Sequence, residues 1–80
     1  MMLFSIVNKS RDIEYIKAFG SNLRELRKEK GLSQEQLAND ADIPLSQIGR
    51  IERGEINVTL STIKTIAKAL SLEPQQLLIF

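Results

Sequence analysis

The sequence contains no cysteine, no histidine and no tryptophan, and it has only 2 prolines and 4 glycines in 80 residues. Without cysteine, neither a disulfide bond nor a thiolate metal site can stabilise this small chain. Without histidine, a zinc site would depend on carboxylates alone, and the usual general base at neutral pH is missing. We therefore expect no metal or other cofactor, and a protein that is not an enzyme.

The sequence also lacks an excess of one charge sign and any long apolar run. The chain has 11 Lys and Arg against 10 Asp and Glu, so its net charge is only +1. No apolar run approaches the length of a membrane span, and the opening letters MMLFSIV lack the basic start and cleavage site of a signal peptide. We expect a cytoplasmic protein without membrane association. A nucleic-acid binder with this charge balance would have to gather its basic side chains on one face.

Apolar residues recur every three or four positions along most of the chain, a spacing typical of amphipathic helices. The first such stripe predicts a helix over residues 11–30, which Gly20 and Ser21 are expected to kink or split. Its members are Ile13, Ile16, Phe19, Leu23 and Leu26. Residues 11–80 form the predicted domain. For residues 1–10 we predict an arm or short strand, which either folds back on this domain or pairs with another subunit.

Signals for helix starts and stops divide the rest of the domain. Ser33 begins a second helix with the spacing of a capping box. Pro44 suits the start of a third helix, which Gly54 ends. A fourth helix is predicted to begin near Thr59 and a short fifth one at Pro74. The sequence therefore predicts an all-α fold, a compact bundle of five short helices.

The third predicted helix has two unlike sides, because successive residues turn by about 100°. One side carries Leu45, Ser46, Gly49, Arg50 and Arg53, and the other carries Ile48 and Ile51. The isoleucines belong in the core, so the first side faces outward. A solvated face explains the arginines but not Gly49, since an exposed mid-helix glycine costs up to about 1 kcal/mol relative to alanine. A face that lies against another surface explains it better. In a DNA major groove, Arg50 suits the two acceptors of guanine and Leu45 suits a thymine methyl group.

Two stretches of the sequence carry a resemblance to a known family. They are LRELRKEKGLSQEQLA and IPLSQIGRIERGEINVTLSTIKTIAKAL, which together span most of the chain. LSQEQLA followed at this spacing by IGRIERGE is much more specific than an isolated motif. The chain resembles the Cro/C1-type (XRE-type) helix-turn-helix DNA-binding proteins. Within that family it is similar to small stand-alone regulators such as restriction–modification controller proteins.

The resemblance implies a lambda-repressor-like DNA-binding domain and a role for particular residues. Base reading falls to outward-facing residues of the third helix, namely Leu45, Ser46 and Arg50, with Gly49 on the same face. Contacts to the DNA backbone fall to Gln34, Gln47, Arg53 and Asn57. Arg27 and Glu52 match a partly buried ion pair that joins the first helix to the third, so their expected role is structural. These matches predict a sequence-specific transcriptional regulator that acts on double-stranded DNA.

A single helix of this kind reaches only a few base pairs, and a net charge of +1 gives little non-specific affinity. We therefore expect a homodimer on an inverted-repeat operator. The apolar ends of the chain, residues 1–7 and 77–80, are the candidate dimer surfaces, and the C-terminal one is preferred. The alternative function is a protein-interaction or antitoxin-like module that uses the same fold, with DNA binding secondary.

Overall fold

The computed structural model describes the backbone of residues 2–80 and the side chains of residues 12–80. Its elements are α1 (Met2–Glu29), α2 (Gln34–Ala41), α3 (Leu45–Glu52), α4 (Leu60–Ala69) and a final 3₁₀ segment (Pro74–Leu78). No strand occurs within the described backbone, which agrees with the predicted all-α class. The count of helices differs, because the fifth predicted helix is this 3₁₀ segment. This segment is only five residues long and begins with a proline, and 3₁₀ helices occur as short pieces of this kind.

The first helix is longer than predicted and begins at Met2. An arm or strand was predicted for residues 1–10, and a strand does not match this helical backbone. The prediction for residues 1–10 was ambiguous, because the spacing of residues in a short apolar run does not distinguish a strand from a segment of buried helix. The side chains of residues 1–11 lie outside the described part of the chain. Whether this end contacts the domain or a second subunit therefore stays a prediction.

The helix starts follow the predicted caps. The Ser33 hydroxyl accepts from the backbone N–H of Gln36 at 3.0 Å, and the Gln36 side chain accepts from the backbone N–H of Ser33 at 2.8 Å. This reciprocal pair is the predicted capping box. The Thr59 hydroxyl likewise accepts from the backbone N–H of Thr62 at 3.2 Å, which fixes the start of α4. Short-range spacing thus sets where these helices begin.

All the helices contribute to one apolar core. Ile48 and Ile51 of α3 are fully buried in it, as their side of the helix predicted. The other large side chains with almost no exposed surface are Leu23, Leu37, Ile66, Leu70 and Leu77. Since α3 buries its isoleucines among these residues, its opposite side is turned away from the core.

Gly20 lies where α1 meets the end of α3. A Cβ atom at this position would collide with the carbonyl oxygen of Ile51 and would lie 2.7 Å from that of Glu52. Both obstacles are backbone atoms, so no side-chain rotation relieves them. The predicted split at Gly20 and Ser21 is wrong, since α1 is one continuous helix. The absence of a side chain at Gly20 is needed for the close approach of α1 to the end of α3.

Candidate nucleic-acid interface

A tight turn joins α2 to α3. Asp42 ends α2 in the left-handed conformation, with φ 56° and ψ 45°, and Pro44 precedes the first residue of α3. The backbone N–H of Ile43 donates to the carbonyl of Ala38 at 3.0 Å, which closes the turn. Ala38 is buried between the helices, where its small side chain lets the two backbones approach. The result is two eight-residue helices packed against each other, with α3 at the surface.

Most of the predicted base-reading residues lie on the open side of α3. Ser46 and Arg50 are exposed, and Leu45 exposes 45% of its surface, which is high for a leucine in a helix with a buried face. Gly49 is different, because it is buried and not turned openly outward as predicted. A Cβ atom there would lie 3.1 Å from Nη1 of Arg53, whose side chain covers the glycine. A helical wheel shows the direction in which Gly49 faces but not the conformation of the Arg53 side chain one turn later. It therefore did not predict that Arg53 covers Gly49.

The predicted backbone-contacting residues surround this face but are not equally open. Arg53 and Asn57 are exposed, at the end of α3 and in the loop that follows it, whereas Gln47 is half-buried. Gln34, in the first turn of α2, is also half-buried, and it lies beside the same face. Its side-chain oxygen would be 3.9 Å from a Cβ atom on Gly49.

The predicted pair of Arg27 and Glu52 is present and buried. Nε of Arg27 donates to Oε2 of Glu52 at 2.6 Å, and Nη2 donates to Oε1 at 3.1 Å. Nη1 of Arg27 donates in addition to the carbonyl of Leu32 at 2.8 Å. The hydrogen bond to Glu52 raises the pKa of Arg27 above its usual value, against the opposing effect of burial. This ion pair ties α1 to the last turn of α3.

Gln34 has a second partner that the sequence did not reveal. Its amide Nε2 donates to Oε1 of Glu52 at 2.9 Å, so the carboxylate that binds Arg27 also binds α2. An amide nitrogen carries two N–H groups, so one remains for another acceptor. The predicted phosphate contact of Gln34 is therefore compatible with this bond. The hydrogen bond to Glu52 fixes the orientation of the Gln34 side chain.

Glu55 is the main charged residue that the sequence interpretation missed. Its Oε2 accepts from Nε of Arg53 at 2.6 Å, and its Oε1 lies 3.7 Å from Nε of Arg50. The hydrogen bond from Arg53 lowers the pKa of Glu55 and raises that of Arg53, with smaller contributions from the charges around them. The signal in the sequence was a glutamate placed directly after the glycine that ends the helix, within reach of both arginines.

Neither a metal site nor a membrane span is found among the described residues. Within residues 12–80 no cluster of three or more acidic side chains is arranged to hold a metal ion. None of the described helices combines the length and the hydropathy needed to cross a membrane.

Two short packed helices, a tight left-handed turn between them and a polar outward face on the second define a helix-turn-helix unit. The chain belongs to the helix-turn-helix family, whose family model matches residues 23–77. The predicted family membership is thereby confirmed.

Particular relatives are similar over most of their length. Control protein C.BamHI of Bacillus amyloliquefaciens is 44% identical over 63 residues, which cover 78% of each chain. Control protein C.SmaI of Serratia marcescens is 46% identical over 67 residues, or 84% of this chain and 77% of that one. Among solved structures, the restriction-modification controller protein C.AhdI from Aeromonas hydrophila matches with a TM-score of 0.79 and 46% identity. That match covers 81% of this chain and 94% of the controller protein.

Proposed function

We propose that this protein is a transcriptional regulator that binds a specific double-stranded DNA sequence by inserting α3 into the major groove. The observation that carries the proposal is the division of α3 into two sides. Ile48 and Ile51 are fully buried, while Leu45, Ser46 and Arg50 stand exposed on the other side. Since a major groove admits one α-helix, a helix held this way can meet the edges of bases. We call α3 the recognition helix from here on.

The exposed side chains suit distinct tasks on DNA. The two terminal nitrogens of Arg50 match the two acceptors that guanine presents in the major groove, and Leu45 matches a thymine methyl group. Ser46 lies between them on the face and can bond to any base. Gln34, Gln47, Arg53 and Asn57 lie around this face and are assigned to phosphates. Phosphate contacts fix the register of the helix, while base contacts select the sequence.

The relatives support regulation as the purpose of this binding. They include control proteins and, at 36% identity over 61 residues, an HTH-type transcriptional regulator of Sinorhizobium fredii. We infer that this protein acts in the same way, as a small regulator of the controller type in the cytoplasm. None of these names describes an enzyme, in keeping with the expectation from composition.

We further propose that the protein binds as a two-fold dimer. Ile79 exposes 69% of its surface and Phe80 exposes 52%, and both lie beside Leu78 at the C-terminal end. The ring of Phe80 packs on that of Tyr15 of α1 with centroids 5.0 Å apart, so this end is held against the domain. A contiguous apolar surface of this kind is typical of an interface. A two-fold dimer places recognition helices about 34 Å apart, which predicts an inverted-repeat site with half-sites about one turn apart.

The proposed function is tested by selecting bound duplexes from a random pool and comparing the protein with its Arg50→Ala variant. The protein should enrich one sequence with inverted symmetry. Arg50→Ala should lose about 1–3 kcal/mol on that sequence and bind all others nearly unchanged. Lys68→Ala is the control, because it removes an exposed cation from the last turn of α4 and leaves the recognition helix unchanged.

The proposal would be refuted if no sequence is enriched and if binding of the protein to DNA does not weaken as salt is added. That result would favour the alternative of a protein-interaction module. Retention of the full sequence preference by Arg50→Ala would instead refute only the assignment of Arg50 to a base.

A further inference from the structure

The carboxylate of Glu55 lies between two arginines that the proposed function assigns to DNA. On the basis of that function, we propose that Glu55 is a specificity-determining residue. Its carboxylate holds Arg53 away from phosphates and so weakens binding to non-operator DNA. It holds Arg50 only loosely, so that this side chain can still read a base.

Arg53 is paired with a carboxylate of its own subunit. Its Nε donates to Glu55 at 2.6 Å, and its Nη2 is 3.5 Å from the other carboxylate oxygen. Its Nη1 lies over Gly49, 3.1 Å from where a Cβ atom of that residue would be. Two of the three guanidinium nitrogens thus meet the carboxylate. A phosphate that takes these two donors must displace Glu55, so that one anion is exchanged for another.

Arg50 is held much more loosely. Its Nε lies 3.7 Å from Oε1 of Glu55, and 56% of its side-chain surface is exposed. No hydrogen bond within the described residues holds this guanidinium, whereas Nε of Arg53 donates to Glu55 at 2.6 Å. Guanine is read through two donors at once, and the exposed guanidinium of Arg50 can present them.

The backbone fixes Glu55 in this position. The N–H of Gly54 donates to the carbonyl of Ile51 at 3.0 Å, and the N–H of Glu55 donates to that of Arg50 at 2.9 Å. These two bonds, with φ +74° at Gly54, form a Schellman motif at the end of α3. In that motif the residue after the glycine lies against the residue three before the cap, usually through an apolar contact. Here those two positions hold Glu55 and Arg50, so the chain has a charged pair on the DNA-facing side.

The stability of the domain does not account for this arrangement. Ion pairs between exposed side chains contribute little to folding, because water and salt screen them. Arg53 and Glu55 expose 60% and 46% of their side-chain surfaces. The consequence for DNA is larger, since binding to arbitrary DNA depends almost wholly on phosphate contacts. Because the net charge is only +1, releasing or neutralising a single arginine changes the affinity for arbitrary DNA substantially.

The test compares Glu55→Gln, which keeps the shape and removes the charge, with Glu29→Gln, the same change at an exposed site at the end of α1. Fluorescence anisotropy gives the Kd on the selected operator and on a scrambled duplex of equal length, at several salt concentrations. Glu55→Gln should tighten binding to scrambled DNA about fivefold and steepen its salt slope by about 0.9 for each bound subunit. Operator binding should change by less than about twofold, because looser control of Arg50 offsets the gain.

A second comparison shows whether the effect acts through Arg53. In an Arg53→Gln background, Glu55→Gln should no longer tighten binding to scrambled DNA. If Glu55→Gln tightens operator and scrambled DNA by the same factor, or behaves like Glu29→Gln, Glu55 does not determine specificity. These outcomes would leave the proposed function intact, provided that the unchanged protein still prefers its operator. Absence of any salt-sensitive DNA binding by the unchanged protein would refute both.

Discussion

Removing the carboxylate of Glu52 is the most informative perturbation of the fold, because three helices depend on it. Only 2% of the Glu52 side chain and 9% of the Arg27 side chain are exposed. In Glu52→Ala, Arg27 loses two of its three hydrogen bonds and keeps only the one to the Leu32 carbonyl. Gln34 loses its acceptor at the same time. A buried guanidinium is then left without a countercharge.

The expected loss is large for a domain of this size. Breaking one partner of a buried ion pair costs about 3–5 kcal/mol, against a total stability of about 5–15 kcal/mol for a typical domain. At about 4–8 °C per kcal/mol for a domain of this length, Glu52→Ala should lower Tm by at least about 12 °C. Glu29→Ala removes an exposed carboxylate and should change stability by no more than about 0.5 kcal/mol.

Thermal and urea unfolding, followed by circular dichroism, measure both changes. The pair itself is tested by a double-mutant cycle with Arg27→Met and Glu52→Met, which leaves no charge behind in the double variant. The double variant should be more stable than the sum of the single losses predicts, by about 2 kcal/mol or more. Equal Tm values for Glu52→Ala and Glu29→Ala, or strictly additive losses in the cycle, would refute the reasoning.

Two further predictions concern DNA binding and assembly. Gln34→Ala should weaken operator and scrambled DNA by similar factors in titrations, because a phosphate contact carries no sequence information, and a loss confined to the operator would contradict this. Changing Leu78 and Phe80 together to Asp should turn a dimer into a monomer in analytical ultracentrifugation, because it places two charges in the proposed apolar interface. A dimer that survives both changes would move the interface to the N-terminal end.

The features predictable from the sequence were those set by neighbours along the chain. The capping box at Ser33, the cap at Thr59 and the stop at Gly54 each depend on residues within one turn. The burial of Ile48 and Ile51 followed from the helical period alone. The starts of α2 and α4, the end of α3 and the inner face of the recognition helix were therefore predictable from the sequence, whereas the start of α1 was not.

What escaped prediction depends on contacts across the fold or on flexible side chains. The family resemblance supplied the pairing of Arg27 with Glu52, but it gave no reason to expect Gln34 on the same carboxylate. The cover of Gly49 by Arg53 depends on a rotamer, which the helical wheel does not contain. Glu55 was overlooked because it stands outside the helix, and only the geometry of the helix end brings it back to the arginines.

The close contact at Gly20 has a consequence for genetics. Any side chain there would push against the backbone carbonyls of Ile51 and Glu52, and the last turn of α3 would have to move. Residue 20 is buried, whereas Arg50 is exposed. We therefore expect a screen for lost regulation to recover substitutions of Gly20 alongside those of Arg50, although Gly20 is buried. Without the structure, a map of these substitutions would wrongly count Gly20 among the residues that contact the operator.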